Sequence, residues 1–135
     1  MDWASLNAVL IADGMASIGV REHIGDYVLA KDSALHSVGC AGLEHQSDVG
    51  VLRSVVVSLP HRGHGLGSLF IAKLICYAKR ASLRHAVLVT DRSGARFAAK
   101  FGFHEALPEC VPEAGHRSSA LSSRAANSVI MYRSI

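Results

Sequence analysis

The sequence predicts a single α/β (or α+β) domain over residues 1–135, built on a mixed β-sheet flanked by helices. Three observations point there. The chain has 135 residues, half of them hydrophobic and 19% charged, which is too apolar for a disordered chain and too short to divide into two cores. Strand-like segments alternate with segments of helical periodicity along its length, the pattern of α/β and α+β folds. Residues 50–59, GVLRSVVVSL, form a β-branched run apolar on both faces, as a central strand covered on both sides requires.

Residues 5–13 read as a short helix with Ser5 as N-cap and Gly14 as its stop, and residues 17–24 as a second. Residues 26–31 (DYVLAK) and 35–44 read as two strands joined as a hairpin through Asp32-Ser33. Strand 50–59 stops at Pro60, which cannot donate to a ladder. A glycine-rich turn follows, then a helix to about Ser82. Leu66, Phe70, Leu74, Tyr77 and Ala81 recur on it at helical spacing, which makes them its expected core face. Residues 84–90 (RHAVLVT) read as a buried strand, and residues 93–101 as a short helix ended by Gly102. Phe103 opens a new segment. Residues 108–126 read as irregular with a helical turn after Pro112, and residues 127–133 (NSVIMYR) as a last strand.

Composition excludes several function classes. No stretch approaches the roughly 20 apolar residues of a membrane span, and Met1-Asp2-Trp3 does not open a signal peptide. Cys40, Cys76 and Cys110 are odd in number and far apart, so they read as buried thiols of a cytoplasmic protein rather than a disulfide set or a metal pair. Net charge is +3, and its distribution is uneven. Residues 49–103 hold Arg53, Arg62, Lys73, Lys79, Arg80, Arg84, Arg92, Arg96 and Lys100 against the single acid Asp91. A basic middle suits an anionic partner. Nucleic acid is disfavoured, because the basic residues lack interleaved aromatics and only 6% of the chain is aromatic.

The sharpest chemical signal is the run Arg62-Gly63-His64-Gly65-Leu66-Gly67-Ser68 between a strand and a long helix. Glycines let the backbone turn tightly and aim N–H groups at a ligand, and the helix N-terminus adds further amides and a positive dipole end. Together they suit a pyrophosphate. No Lys-Ser/Thr pair follows Gly67, which excludes a P-loop, and the spacing is not that of a dinucleotide fingerprint. His61 and His64 have no third ligand at a sensible spacing, so no metal is expected.

The run from Val55 through Gly67 resembles motif A of the GNAT N-acetyltransferases, and Ala95-Arg96-Phe97-Ala98-Ala99-Lys100-Phe101-Gly102-Phe103 resembles their motif B. Within that family the chain is most similar to the small acetyltransferases of arsenic-resistance operons. It shares with them Gly42-Leu43-Glu44, Asp48 through Ser54, and the tail from Val111-Pro112-Glu113 to Ser128-Val129-Ile130-Met131. A more distant likeness is to the acetyltransferase domain of N-acetylglutamate synthases. The resemblance implies a sheet splayed between its two central strands, with acetyl-CoA (coenzyme A) as cofactor. The chain is expected to depart from that fold in its first strand, short or missing because only residues 1–4 precede the first helix. Val55, Val56 and Val57 would pair with the pantetheine arm like an added strand. Amides of Gly63, His64, Gly65, Leu66, Gly67 and Ser68 would hold the pyrophosphate, flanked by Arg62.

The chain departs from the family pattern at Ala98, where many members have a Tyr that protonates the leaving thiolate, and at Val51, where many have a Glu base. Arg92 stands where an Asn often opens motif B, and Ser122-Ser123 where the arsenic-type tail has Cys-Pro. Glu44 and His45 are therefore the candidate proton acceptors. Arg53, on an otherwise apolar strand, either pairs with Glu44 or Asp48 or holds a substrate carboxylate. The expected reaction is direct N-acetylation of a small amino-acid-like amine, without an acyl-enzyme. Acetylation of a protein N-terminus or lysine, and acyl-CoA sensing with weak catalysis, are the alternatives. A homodimer is left open.

Overall fold

The computed structural model describes residues 27–31, 34, 36–63 and 65–135. The helices expected over residues 5–13 and 17–24, the short or missing first strand and the turn at residues 32–33 lie outside the described residues. Six strands are described: β1 (Tyr27–Lys31), β2 (Ser37–Gln46), β3 (Val49–Val57), β4 (His85–Thr90), β5 (His104–Glu105) and β6 (Val129–Ser134). They form one sheet of order β1-β2-β3-β4-β6-β5. Among the described residues three α-helices accompany them: α1 (Leu66–Arg80), α2 (Arg92–Ala99) and α3 (Ser119–Ser122). The chain separates into two compact units, Met1–Gly42 with Ser54–Leu74, and Leu43–Arg53 with Ile75–Ile135.

In the first unit β1 and β2 pair antiparallel from Tyr27↔Gly42 to Ala30↔Gly39, with a register shift before Lys31↔Ser37. The hairpin expected from the two apolar runs is formed. Gly39 lies so close to its neighbours that a Cβ there would sit 2.7 Å from the Val56 carbonyl oxygen and 3.0 Å from the Phe70 ring. Past β3, Ser58 donates its N–H to the Val38 carbonyl at 2.8 Å. Pro60 then falls in a 3-10 turn, Leu59–His61, which ends the strand as the sequence predicts.

The buried stripe of α1 is Phe70, Ile71, Leu74, Ile75 and Ala78. This corrects the expected face: Phe70 and Leu74 belong to it, but Tyr77 and Ala81 are exposed. Spacing alone allowed either stripe. The one rich in Ile wins because it removes more apolar surface from water, whereas Tyr tolerates an edge position.

In the second unit Ser47, at φ 56°, closes the turn between β2 and β3. Strands β3 and β4 pair parallel from Val49↔His85 to Leu52↔Leu88, and β3 runs on to Val57 beyond that ladder. Strand β6 pairs antiparallel with β4 along its whole length, His85↔Ser134 to Thr90↔Val129. The sheet is therefore mixed, as expected. A two-residue β5 pairs with β6 through His104↔Tyr132 and Glu105↔Met131, a strand too short to carry a periodic signal. The core gathers Val49, Val51, Val87, Val111, Leu121 and Ile130. Helix α2 is capped by Asp91, whose Oδ1 accepts the Gly94 N–H at 2.8 Å. Gly102, at φ 84°, supplies the left-handed turn after it. The tail expected to be irregular is ordered by 3-10 turns at Pro108–Cys110 and Glu113–Arg117 and by the single turn α3. Cys40 is buried, but Cys76 and Cys110 are exposed, which corrects the expectation of three buried thiols.

Candidate functional site

The glycine-rich turn is built by its own dihedral demands. Gly63 and Gly65 sit at φ 82° and 81°, a region any side chain with a Cβ enters at a cost. A Cβ at either would meet nothing within 4 Å, so the glycines are required by backbone conformation and leave open space above the turn. Arg62 folds back on the strand end, its Nε donating to the Val57 carbonyl at 2.8 Å. His61 Nδ1 and Ser58 Oγ lie 2.9 Å apart across the 3-10 turn. Among the described residues the first ladder bond of α1 runs from Leu69 N–H to the Gly65 carbonyl at 3.0 Å. The amides of Leu66, Gly67 and Ser68 therefore precede the helix's own ladder and are available to an anion. Gly67 is a helical residue of the first turn. His64 lies outside the described residues. Val56 is buried, while Val55 and Val57 are half-buried. Glycine backbone, helix N-terminus and Arg62 make a donor set whose chemistry fits a pyrophosphate.

The second cluster centres on Glu44 of β2. Its residue exposure is 2%, and it is charged, so it must be compensated. Oε1 accepts from Gln46 Nε2 at 2.7 Å. Oε2 accepts from Arg53 Nη1 at 3.0 Å and from Ser118 Oγ at 2.7 Å. Arg53 Nη1 also donates to Ser119 Oγ at 2.9 Å. Burial pushes the Glu44 pKa up, but the hydrogen bonds from Ser118, Gln46 and Arg53, with the Arg53 charge, outweigh it and leave the carboxyl below its ordinary value. A carboxylate so held is a poor proton acceptor and a good anchor. Of the two partners the sequence allowed Arg53, the structure provides Glu44. Asp48 lies instead 3.7 Å from His85 Nε2. His45, next along β2, is exposed.

Sequence reasoning missed Gln46, Ser118 and Ser119. Only a weak local signal existed for Ser118: a serine preceding a short helical turn is an N-cap, and its Oγ does accept the Ala120 N–H at 3.2 Å. Val51 and Ala98, where many GNAT enzymes carry ionisable residues, are both fully buried. Arg92 is tied to Glu105 by two hydrogen bonds, at 2.8 and 3.2 Å.

Residues 14–103, well over half of the chain, match the acetyltransferase (GNAT) family, and the protein belongs to it. A Bacillus subtilis relative, the uncharacterized protein YwlB, is 34% identical over 98 residues, 70% of this chain and 64% of that protein. The chain thus spans just under two thirds of that relative's length. Among solved structures, Rv2747 from Mycobacterium tuberculosis, in complex with CoA, is similar with a TM-score of 0.79 at 19% identity, covering 98% of this chain and 95% of that one. N-acetylglutamate synthase from Neisseria gonorrhoeae, complexed with coenzyme A and N-acetyl-glutamate, gives 0.80 at 22% identity, covering 98% of this chain and 32% of the synthase. A GNAT-family acetyltransferase from Staphylococcus aureus gives 0.76 at 16% identity, over 97% of this chain and 91% of its own. These likenesses establish the mixed-sheet GNAT fold. The likeness to arsenic-operon enzymes is a finer distinction than they reach.

Proposed function

We propose that the protein is an acetyl-CoA-dependent N-acetyltransferase whose acceptor is the amine of a small amino-acid-like molecule. One observation carries the reading: in a GNAT chain, two left-handed glycines, Gly63 and Gly65, lie between the end of β3 and the bare amides of α1. In this reading the amides of residues 63–68 hold the pyrophosphate and Arg62 flanks it. The backbone of Val55, Val56 and Val57 takes the pantetheine arm. When bound, acetyl-CoA supplies an activated thioester, and the acetyl group passes directly to the acceptor amine. Arg53 holds the acceptor's carboxylate, and Glu44 keeps the guanidinium in place as its ionised partner. The exposed thiols of Cys76 and Cys110 suit a reducing, cytoplasmic setting. The N-acetyl-glutamate bound by the Neisseria enzyme makes L-glutamate the first acceptor to try.

The test is thiol release from acetyl-CoA with each of the twenty L-amino acids, beside calorimetric titration of CoA. Micromolar CoA binding with turnover of one or a few amino acids supports the proposal. No CoA binding ends it. A second reading, an acyl-CoA sensor, is favoured by the burial and non-ionisable character of Val51 and Ala98. It predicts tight CoA binding with no turnover of amino acids or of peptide amines, whereas turnover of peptides alone marks a protein acetyltransferase.

A further inference from the structure

Three ionisable side chains outside the candidate site form a chain of their own. Asp48 lies in the turn before β3, His85 opens β4, and Tyr132 lies on β6. Tyr132 faces Val87 across the β4–β6 ladder, so His85, two residues back along β4, is its diagonal neighbour on the same face. The Tyr132 hydroxyl lies 2.6 Å from His85 Nδ1. His85 Nε2 lies 3.7 Å from Asp48 Oδ2. The Asp48 carbonyl accepts the N–H groups of Arg84 and His85 at 2.8 and 3.2 Å, which ties the turn to the strand that carries the imidazole. On its other side the Tyr132 ring meets His104, its cross-strand partner on β5, with ring centroids 5.6 Å apart. The phenol is thus held in place by its neighbours on both flanking strands.

The order of the three groups directs the protons. A neutral imidazole carries one hydrogen, on one of its two nitrogens. The Asp48 carboxylate faces Nε2 and favours the hydrogen there. Nδ1 then turns its lone pair to Tyr132 and accepts the phenol hydrogen. Hydroxyl, imidazole and orienting carboxylate in that order are the arrangement that activates a hydroxyl nucleophile. The chain is open to solvent as well: the His85 and Asp48 side chains are 27% and 48% exposed, and Tyr132 is half-buried. We propose that Asp48, His85 and Tyr132 form an acyl-accepting site, at which the Tyr132 phenol takes the acyl group of an activated ester, an aryl ester or an acyl phosphate. The Tyr132 oxygen attacks the acyl carbon and forms a C–O bond, and the bond from that carbon to the leaving oxygen breaks. The phenol proton passes to His85 Nδ1 while Asp48 balances the imidazolium, and then to the departing oxyanion or to water. The product is a neutral O-acyl tyrosine, and no oxidant or reductant is needed. The site shares no residue with the glycine turn or with the Glu44 cluster.

The experiment treats the full chain with 4-nitrophenyl acetate at neutral pH and follows acetylation peptide by peptide by mass spectrometry. Tyr77, the exposed phenol of α1, is the internal reference. In the wild-type chain Tyr132 should acetylate at least about tenfold faster than Tyr77, the low end of what a positioned base supplies. His85→Gln removes the base and should bring the Tyr132 rate down to that of Tyr77. Asp48→Asn keeps the imidazole and removes its orienting charge, and should slow Tyr132 several-fold with Tyr77 unchanged. Tyr132→Phe should abolish the adduct on its peptide and leave the others as they were. Thermal melting of each variant shows whether it is folded, and the comparison of Tyr132 with Tyr77 in the wild-type chain needs no variant at all. If Tyr132 reacts no faster than Tyr77, the hydrogen bond to His85 only holds the strands together and the proposal is wrong. If Tyr132 is fast but a folded His85→Gln variant labels it equally fast, the imidazole is not its base and the proposal is likewise overturned.

Discussion

Replacing Glu44 by alanine removes the acceptor for three side chains at once. Gln46, Arg53 and Ser118 lose bonds of 2.7, 3.0 and 2.7 Å, and the Arg53 side chain, only 10% exposed, loses the Glu44 carboxylate. Breaking a buried pair by deleting one member costs roughly 3–5 kcal/mol, because the remaining charge stays desolvated. For a domain of this size each kcal/mol is worth about 3–4 °C, so Glu44→Ala should lower Tm by roughly 9–20 °C. Glu44→Gln keeps the shape and some of the bonds but removes the charge, and should cost about half as much. The pH dependence separates charge from shape. The folded-state pKa of Glu44 is lowered, so its ionic contribution is complete above the unfolded value and is lost as pH falls through the folded one. The stability gap between wild type and Glu44→Gln should therefore be flat at neutral pH and close below the ordinary glutamate value of about 4.3. Urea unfolding at a series of pH values from 7 to 3 measures it. A gap that does not change over that range, or a Glu44→Ala variant that melts within about 3 °C of wild type, refutes the account of Glu44 as an ionised anchor.

Two further outcomes follow from the geometry. Gly65→Val places a β-branched residue at φ 81° over the open turn, and should raise the CoA Kd at least about tenfold by calorimetry while lowering Tm only a few degrees, since no neighbour is struck. Ala98→Tyr tests the family's usual leaving-group acid at a fully buried site. It should cost roughly 1–3 kcal/mol or more by overpacking and bring no gain in turnover, and a variant that is stable and faster would show that the site opens.

Much of the fold was legible because its signals are local. The run GVLRSVVVSL marked the central strand, observed as Val49–Val57, and Pro60 marked its end because proline lacks the ladder's donor. The glycine turn was legible for the same reason: Gly63 and Gly65 are demanded by φ values that depend on neighbours in sequence, not in space. Helical spacing on α1 pointed to Leu66, Phe70, Leu74, Tyr77 and Ala81, and the packing buried a different stripe, Phe70, Ile71, Leu74, Ile75 and Ala78, which shares only Phe70 and Leu74 with it.

The candidate acceptor cluster was half legible. An arginine on an apolar strand announces a partner, because an unpaired buried charge is costly, but it does not say which. Asp48 lies nearer to Arg53 along the chain than Glu44 does. The turn through Ser47 and Asp48 leaves Glu44 within bonding distance of Arg53 and sets Asp48 beside His85. Ser118 and Ser119 stand more than sixty residues from both partners and looked like part of an irregular, serine-rich tail. By itself, then, the chain's order of residues determined the strands, the glycine turn and the need for a counter-charge to Arg53, since backbone dihedrals, hydrophobic periodicity and desolvation act within a few residues. Only the tertiary structure decided that Glu44 meets that need with Ser118 and Ser119 bonded beside it, and that Ala98 is sealed from solvent, since both depend on which distant segment arrives at the same place.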